Sequence, residues 1–233
     1  MTRDGLGWRE ADFAPWMMTL PGGEFTMGAS EDDKFANDTE RPAHAVALAA
    51  FAIGRAPVTV GEFRSFSPGY APSEDSAWPV TEVSWAEAVD YCAWLSREAR
   101  RAIRLPIEAE WEYACRAGTC TPFSNGPELT TADANFLYRE NGERIGPGMR
   151  TRIGAYPANA FGLHDLHGNV CEWVADPWRP NHAGGPGDLT RRVIRGGGWD
   201  YLPRLLRSAW RDGLPIETRR DNLGFRVATS ELP

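Results

Sequence analysis

Glycine and proline interrupt this chain so often, 24 and 18 times in 233 residues, that long uninterrupted helices and strands are excluded over most of its length. Ten tryptophans accompany them. Large rings bury much apolar area per residue, so the expected architecture is loop-rich, low in helix and pinned by aromatic anchors. The hydrophobic share of 42% and charged share of 24% are ordinary for one soluble globular domain with a sizeable core.

The formal net charge of -7, with no basic stripe to offset it, argues against a nucleic-acid partner held through its phosphates. The N-terminus carries charges where a signal peptide needs an apolar run, and no segment reaches the roughly 18 apolar residues of a membrane span. A cytoplasmic location without membrane contact is therefore expected. In that setting Cys92, Cys115, Cys120 and Cys171 are expected as reduced thiols, although Cys115 and Cys120 could bridge on oxidation.

Residues 1–19 lack periodicity and read as an N-terminal arm, with residues 20–233 forming a single domain. A strand and tight turn are expected from Leu20 to Gly28, a surface loop from Ser30 to Arg41, and a second strand from Phe51 to Thr59 leading into a helical turn at Val60–Phe66. His44 reads as a packing histidine at a strand edge. Ser84 and Glu87 form a capping box at the start of a helix whose apolar face is Trp85, Ala88, Val89, Cys92 and Leu95. A second helix is expected from Pro106 or Glu108 to about Ala117, closed by Gly118 in a left-handed conformation. Glu108, Glu110 and Glu112 fall near its first turn, where they complement the helix dipole, an alternative to acid–base roles.

Seven motifs, in order, carry a family resemblance. They are Gly22–Gly28, Pro57–Thr59, Pro79–Val80 with Val83–Trp85, Arg104–Tyr113, Asn159–Leu163, Gly168–Trp173 and Asn222–Arg226. Together they resemble the formylglycine-generating enzyme, or sulfatase-modifying factor, family. The resemblance implies an α+β, C-type-lectin-like fold of two main helices, short antiparallel strands and much irregular chain.

Active enzymes of that family hold copper(I) with two cysteines, which map onto Tyr201 and Leu206 here. Neither a phenol nor an isobutyl group replaces a thiolate, so cysteine–copper oxidation is not expected and no catalytic residue is assigned. Nearby, Gly198 stands for the usual Ser, Cys171 for the usual Trp and Ile107 for the usual Thr. The family's structural calcium site maps onto the side chains of Asp165 and Glu172 and the carbonyls of Gly168 and Val170. A hard cation accepts such oxygens, while the same loop could also close without metal through turn hydrogen bonds. His164, His167 and Cys171 form a softer alternative metal set.

Cysteine-free relatives in the same superfamily imply two uses of the pocket. One group resembles pyoverdine-maturation proteins, which act on a siderophore precursor; the other comprises variable proteins of diversity-generating retroelements, which display a ligand-binding surface. The layout of residues 200–212 fits the second. There Asp200, Tyr201, Leu202, Arg204, Leu205, Trp210 and Asp212 are expected to face outward toward a protein, peptide or small-molecule ligand. The alternative is that Tyr201, Leu205 and Trp210 pack inward, and that Arg195, Arg207, Arg211 and Arg226 form internal bridges. An oxidative or tailoring enzyme acting on a peptide or peptide-derived small molecule is the competing functional expectation.

Overall fold

The computed structural model describes residues 1–71 and 73–233. Its elements run in chain order β1 (Thr2–Arg3), β2 (Trp8–Arg9), β3 (Met17–Leu20), β4 (Gly23–Met27), β5 (His44–Leu48), β6 (Phe51–Gly54), α1 (Val60–Phe66), α2 (Trp85–Ala99), α3 (Glu108–Arg116), β7 (Cys171–Trp178), β8 (Asp188–Arg195), β9 (Arg211–Pro215), β10 (Leu223–Phe225) and β11 (Ala228–Thr229). Two 3-10 turns, Asp38–Glu40 and Pro203–Leu205, complete the regular structure among the described residues. No helix among these residues is long and apolar enough to cross a membrane.

Three sheets organise the chain. An antiparallel five-stranded sheet has the order β1-β2-β3-β6-β11, a four-stranded sheet the order β10-β7-β8-β9, and β4 and β5 form a hairpin. The β10–β7 pairing is parallel and aligns Gly224 with Glu172, bringing the last two sequence motifs side by side. The stretch read as an N-terminal arm supplies β1, β2 and most of β3. Trp8 is only 3% exposed and belongs to the main core, so this segment is fixed by its ladder to β3 rather than by any periodicity of its own.

The helices follow their sequence signals closely. Ser84 Oγ accepts from the Glu87 amide at 3.3 Å and the Glu87 carboxylate accepts from the Ser84 amide at 2.8 Å, the expected capping box of α2. Its buried face is Ala88, Tyr91, Cys92 and Leu95, with Trp85 and Val89 half-buried beside it. Tyr91 lies at the centre of an aromatic cluster with Phe63, Phe66, Trp94 and Phe225. At α3 the missing hydroxyl of Ile107 is replaced from elsewhere: Asp176 Oδ2 accepts from the Glu108 amide at 2.6 Å, and Glu110 accepts from the Ile107 amide at 3.0 Å. Ala117 is the first residue to take the left-handed conformation that ends α3, with Gly118 following it.

Candidate functional site

The segment from Arg195 to Asp212 opens on a tight glycine run. Gly197 has φ +72°, and a Cβ there would meet the Leu205 carbonyl at 2.6 Å. At Gly198 a Cβ would press on Asn222 and Asp200, which are themselves joined by a 2.7 Å hydrogen bond, so the usual serine has no room without moving that pair. Trp199 donates its backbone N–H to the Asn169 carbonyl, tying the run to the Gly168–Trp173 motif.

The seven residues expected to face outward do not form an exposed set. Trp210 is buried and makes an edge contact with Tyr201, ring centroids 5.6 Å apart. Tyr201 and Leu205 are half-buried against the core, and the Tyr201 hydroxyl meets the Cys171 thiol. Burial pushes both of these groups up; the Cys171 thiol raises the phenol further, while the hydrogen bond from Tyr201 favours the thiolate and offsets part of the rise at Cys171. Asp200 is taken by Asn222, Asp212 accepts from the Gly213 amide, and Arg204 pairs with Glu140 at 2.6 Å. Leu202 is also half-buried. The physical reason is local: Pro203–Leu205 is a 3-10 turn, so alternation along the sequence does not translate into alternating faces.

Leu206 is fully buried with Phe123, Ala134 and Phe136. With Tyr201 and Leu206 at the family's cysteine positions, and with Cys171 buried as a thiol, the donors present do not fit copper(I). Cys115 is likewise inert, its thiol pushed up to about 12 by burial.

The arginines of this segment resolve the question of Glu108, Glu110 and Glu112. Arg195, fully buried, reaches Glu112 at 2.6 Å and Glu108 at 3.2 Å, while Arg211 forks onto Glu108 at 2.6 and 3.0 Å. Arg116 adds a second partner to Glu112 at 2.7 Å, and Arg104 clasps Glu110. Burial alone would raise Glu112, but Arg195 and Arg116 hold it below the ordinary carboxylate value. These carboxylates are structural anchors rather than free acids or bases.

Around the Gly168–Trp173 motif, Glu172 spends both oxygens on Arg226 at 2.6 Å each and also accepts from Trp111 Nε1 at 2.9 Å. Asp165 Oδ2 accepts from the Gly154 amide at 2.8 Å. Glu172 is thus committed to Arg226 and Asp165 to a turn, so around Asp165, Gly168, Val170 and Glu172 the loop closes here through protein hydrogen bonds, the metal-free alternative. His164, His167 and Cys171 do not converge either, since His164 bonds the Tyr156 carbonyl and Cys171 faces Tyr201. Among the described residues no group of three or more His, Cys, Asp or Glu side chains is placed to hold a metal. His167 is a packing residue: it bonds the Leu206 carbonyl at 2.7 Å through Nδ1, leaving Nε2 to accept from the Ser124 amide at 3.0 Å, and burial pushes its pKa down to about 4.

Beside this segment lies a groove of about 740 Å³. Its apolar lining includes Phe35, Phe123, Leu129, Phe136, Ile145 and Pro203, a volume and composition suited to a small molecule or short peptide. Two of its walls are fastened by arginines. Arg207, 1% exposed, binds Asp33 at 2.7 Å and Glu40 at 2.6 and 2.7 Å, holding the acidic loop against the groove; Arg204 fixes the opposite side through Glu140. Of the sequence-predicted binding residues only Arg204 lines the groove, whereas Lys34, Phe35, Glu128 and Thr131 do so without having been expected. The walls come from four separated stretches of chain, and only the basic–acidic partition between Arg204–Arg207 and the Ser30–Arg41 loop hinted at their meeting.

Comparison with known proteins gives a consistent picture. The profile of the sulfatase-modifying factor enzyme 1-like domain matches residues 6–231. The formylglycine-generating enzyme of Bos taurus is 29% identical over an alignment covering 93% of this chain and 75% of that protein. Among solved structures, PvdO from Pseudomonas aeruginosa superimposes with a TM-score of 0.85 at 32% identity, covering 98% of this chain and 99% of that one. The Treponema denticola variable protein 1 superimposes with a TM-score of 0.80 at 22% identity, covering 99% and 100%, which extends the likeness of fold. With its motifs, its three sheets and its paired arginines in place, this chain belongs to the sulfatase-modifying factor enzyme 1-like family.

Proposed function

We propose that this protein binds a peptide or peptide-derived small molecule in the groove beside Pro203–Arg207, and that it does so without cysteine–copper chemistry. The observation that carries the reading is the groove itself: a largely apolar lining, walls pinned by Arg204 and Arg207, and Leu206 filling the place of a family cysteine beside it. Preorganised walls reduce the ordering cost of binding. The likeness to PvdO along both whole chains supports a tailoring role on such a molecule over display of a diversified surface. The buried or internally paired state of Tyr201, Trp210, Asp200 and Asp212 argues the same way.

Two measurements test this. Native mass spectrometry with a pool of short linear and cyclic peptides should show a retained subset on the wild-type protein and none on Thr131→Trp, a rim substitution that fills the groove. Equal retention by both would move the site elsewhere. Copper-loaded protein given a Cys-x-Pro-x-Arg peptide should yield no aldehyde, and appearance of the aldehyde would overturn the second half of the proposal.

A further inference from the structure

A second cavity, of about 430 Å³, shares no lining residue with the groove. It lies between the β4–β5 hairpin, the start of α3 and the chain that follows β7, and its polar lining includes His44, Glu108, Asp176, Arg179, His182 and Arg211. Two of these groups are spent. Glu108 is held by Arg211 and Arg195, and Arg211 uses its remaining nitrogen on the Thr39 and Arg179 carbonyls at 3.0 and 2.8 Å.

The other four keep unused hydrogen-bonding atoms. Arg179 donates only through Nε, to the Gly185 carbonyl at 3.0 Å, so both terminal nitrogens remain open. Asp176 uses Oδ2 on the Glu108 amide and leaves Oδ1. His44 bonds the Pro42 carbonyl through Nδ1 at 3.1 Å, which places the proton there and leaves Nε2 as an acceptor. His182 lies tilted against His44 with ring centroids 5.1 Å apart, and its Nε2 is buried with no partner. An N–H costs more to bury unpaired than a lone pair does, so the proton belongs on Nδ1, the one usable donor of that ring.

Charge sets the ligand's sign. The wall beneath the cavity holds Arg116, Arg195 and Arg211 against Glu108 and Glu112, one positive charge in excess, and Arg179 balances Asp176. Burial also favours the neutral form of Asp176 and, by pushing its pKa down to about 4, of His182.

We infer that this cavity is a second ligand site, for a small carboxylate anion held by the Arg179 guanidinium end and His182 Nδ1–H, with His44 Nε2 and Asp176 Oδ1 accepting a donor elsewhere on the same molecule. The chain has four histidines, so their ring signals can be followed individually by nitrogen–proton correlation NMR. On titration with 4-hydroxybutyrate, whose carboxylate and hydroxyl supply the acceptor and the donor, His44 and His182 should move saturably while His164 and His167 stay fixed. Arg179→Gln should weaken that response at least about tenfold. The unchanged His167 signal in the variant reports that the fold is retained. Movement of His44 and His182 with sodium chloride at matched ionic strength, no movement with 4-hydroxybutyrate, or an undiminished response in Arg179→Gln would each overturn the assignment.

Discussion

Two neighbouring parts of one segment handle charge in opposite ways. Around α3, Arg195 and Arg211 are buried and committed to Glu108 and Glu112, leaving nothing over for a ligand. A few residues away, Arg204 is 40% exposed in its side chain and pairs with Glu140 at the groove's edge, where Lys34 and Glu128 also face the opening. The contrast teaches which charges hold the frame and which are available for recognition. In a buried network each partner is indispensable because its loss strands the other; at a rim, water makes good most of the loss.

The strongest test of that contrast is a pair of substitutions. Arg195→Met leaves Glu108 and Glu112 short of a buried partner and should destabilise by about 3–5 kcal/mol in urea denaturation. Arg204→Ala should cost less than about 1 kcal/mol. Similar costs for the two would break the distinction.

A second test uses pH. Folding lowers the pKa of His167 from 6.5 to about 4, burial being the main cause, so between those values the unfolded chain binds more protons than the folded one. Its stabilising contribution is therefore complete above pH 6.5 and is lost as pH falls toward 4, by on the order of 3 kcal/mol. Half-buried His182 acts in the same direction. Below that window Glu112, whose folded pKa lies under 4.5, adds its own loss as it is protonated. Denaturation midpoints collected across the range should fall with acid, and His167→Gln should flatten the upper part of the slope. A flat wild-type profile would remove His167 from the frame.

The smallest expected effect concerns the Asp165–Glu172 loop. Because Arg226 already satisfies Glu172, neither added calcium nor chelation should shift the melting temperature measurably. A calcium-dependent rise would show that the ion displaces the guanidinium, and would sharpen the comparison by making one frame arginine exchangeable.

Much of the frame could be read from residues. Ser84 and Glu87 announced α2, Glu108–Ala117 announced α3, and the carboxylate-rich α3 beside an arginine-rich C-terminal segment made internal bridges one of two open readings. The N-terminal strands were not legible, since two-residue strands carry no period and Trp8 is buried only because β3 and its neighbours are present. The directions of residues 200–212 were not legible for a different reason. Alternation along the sequence predicts that seven of them face outward, whereas a 3-10 turn and the start of β9 set their directions, sending Trp210 inward. The groove and the His182 cavity are assembled from distant stretches, and no local pattern marks Phe35, Arg179 or His182 as neighbours of anything.

The order of the five-stranded sheet also bears on how the molecule is made. β6 sits between β3, near the start of the chain, and β11, at residues 228–229. While the protein is being synthesised, one edge of β6 must therefore wait uncovered until residues 228–229 have left the ribosome, and β7 waits in the same way for β10. Such late, long-range closure makes folding slow and leaves strand edges open to mispairing in the interval. The nascent chain should thus depend on chaperone shelter far more than the finished protein does.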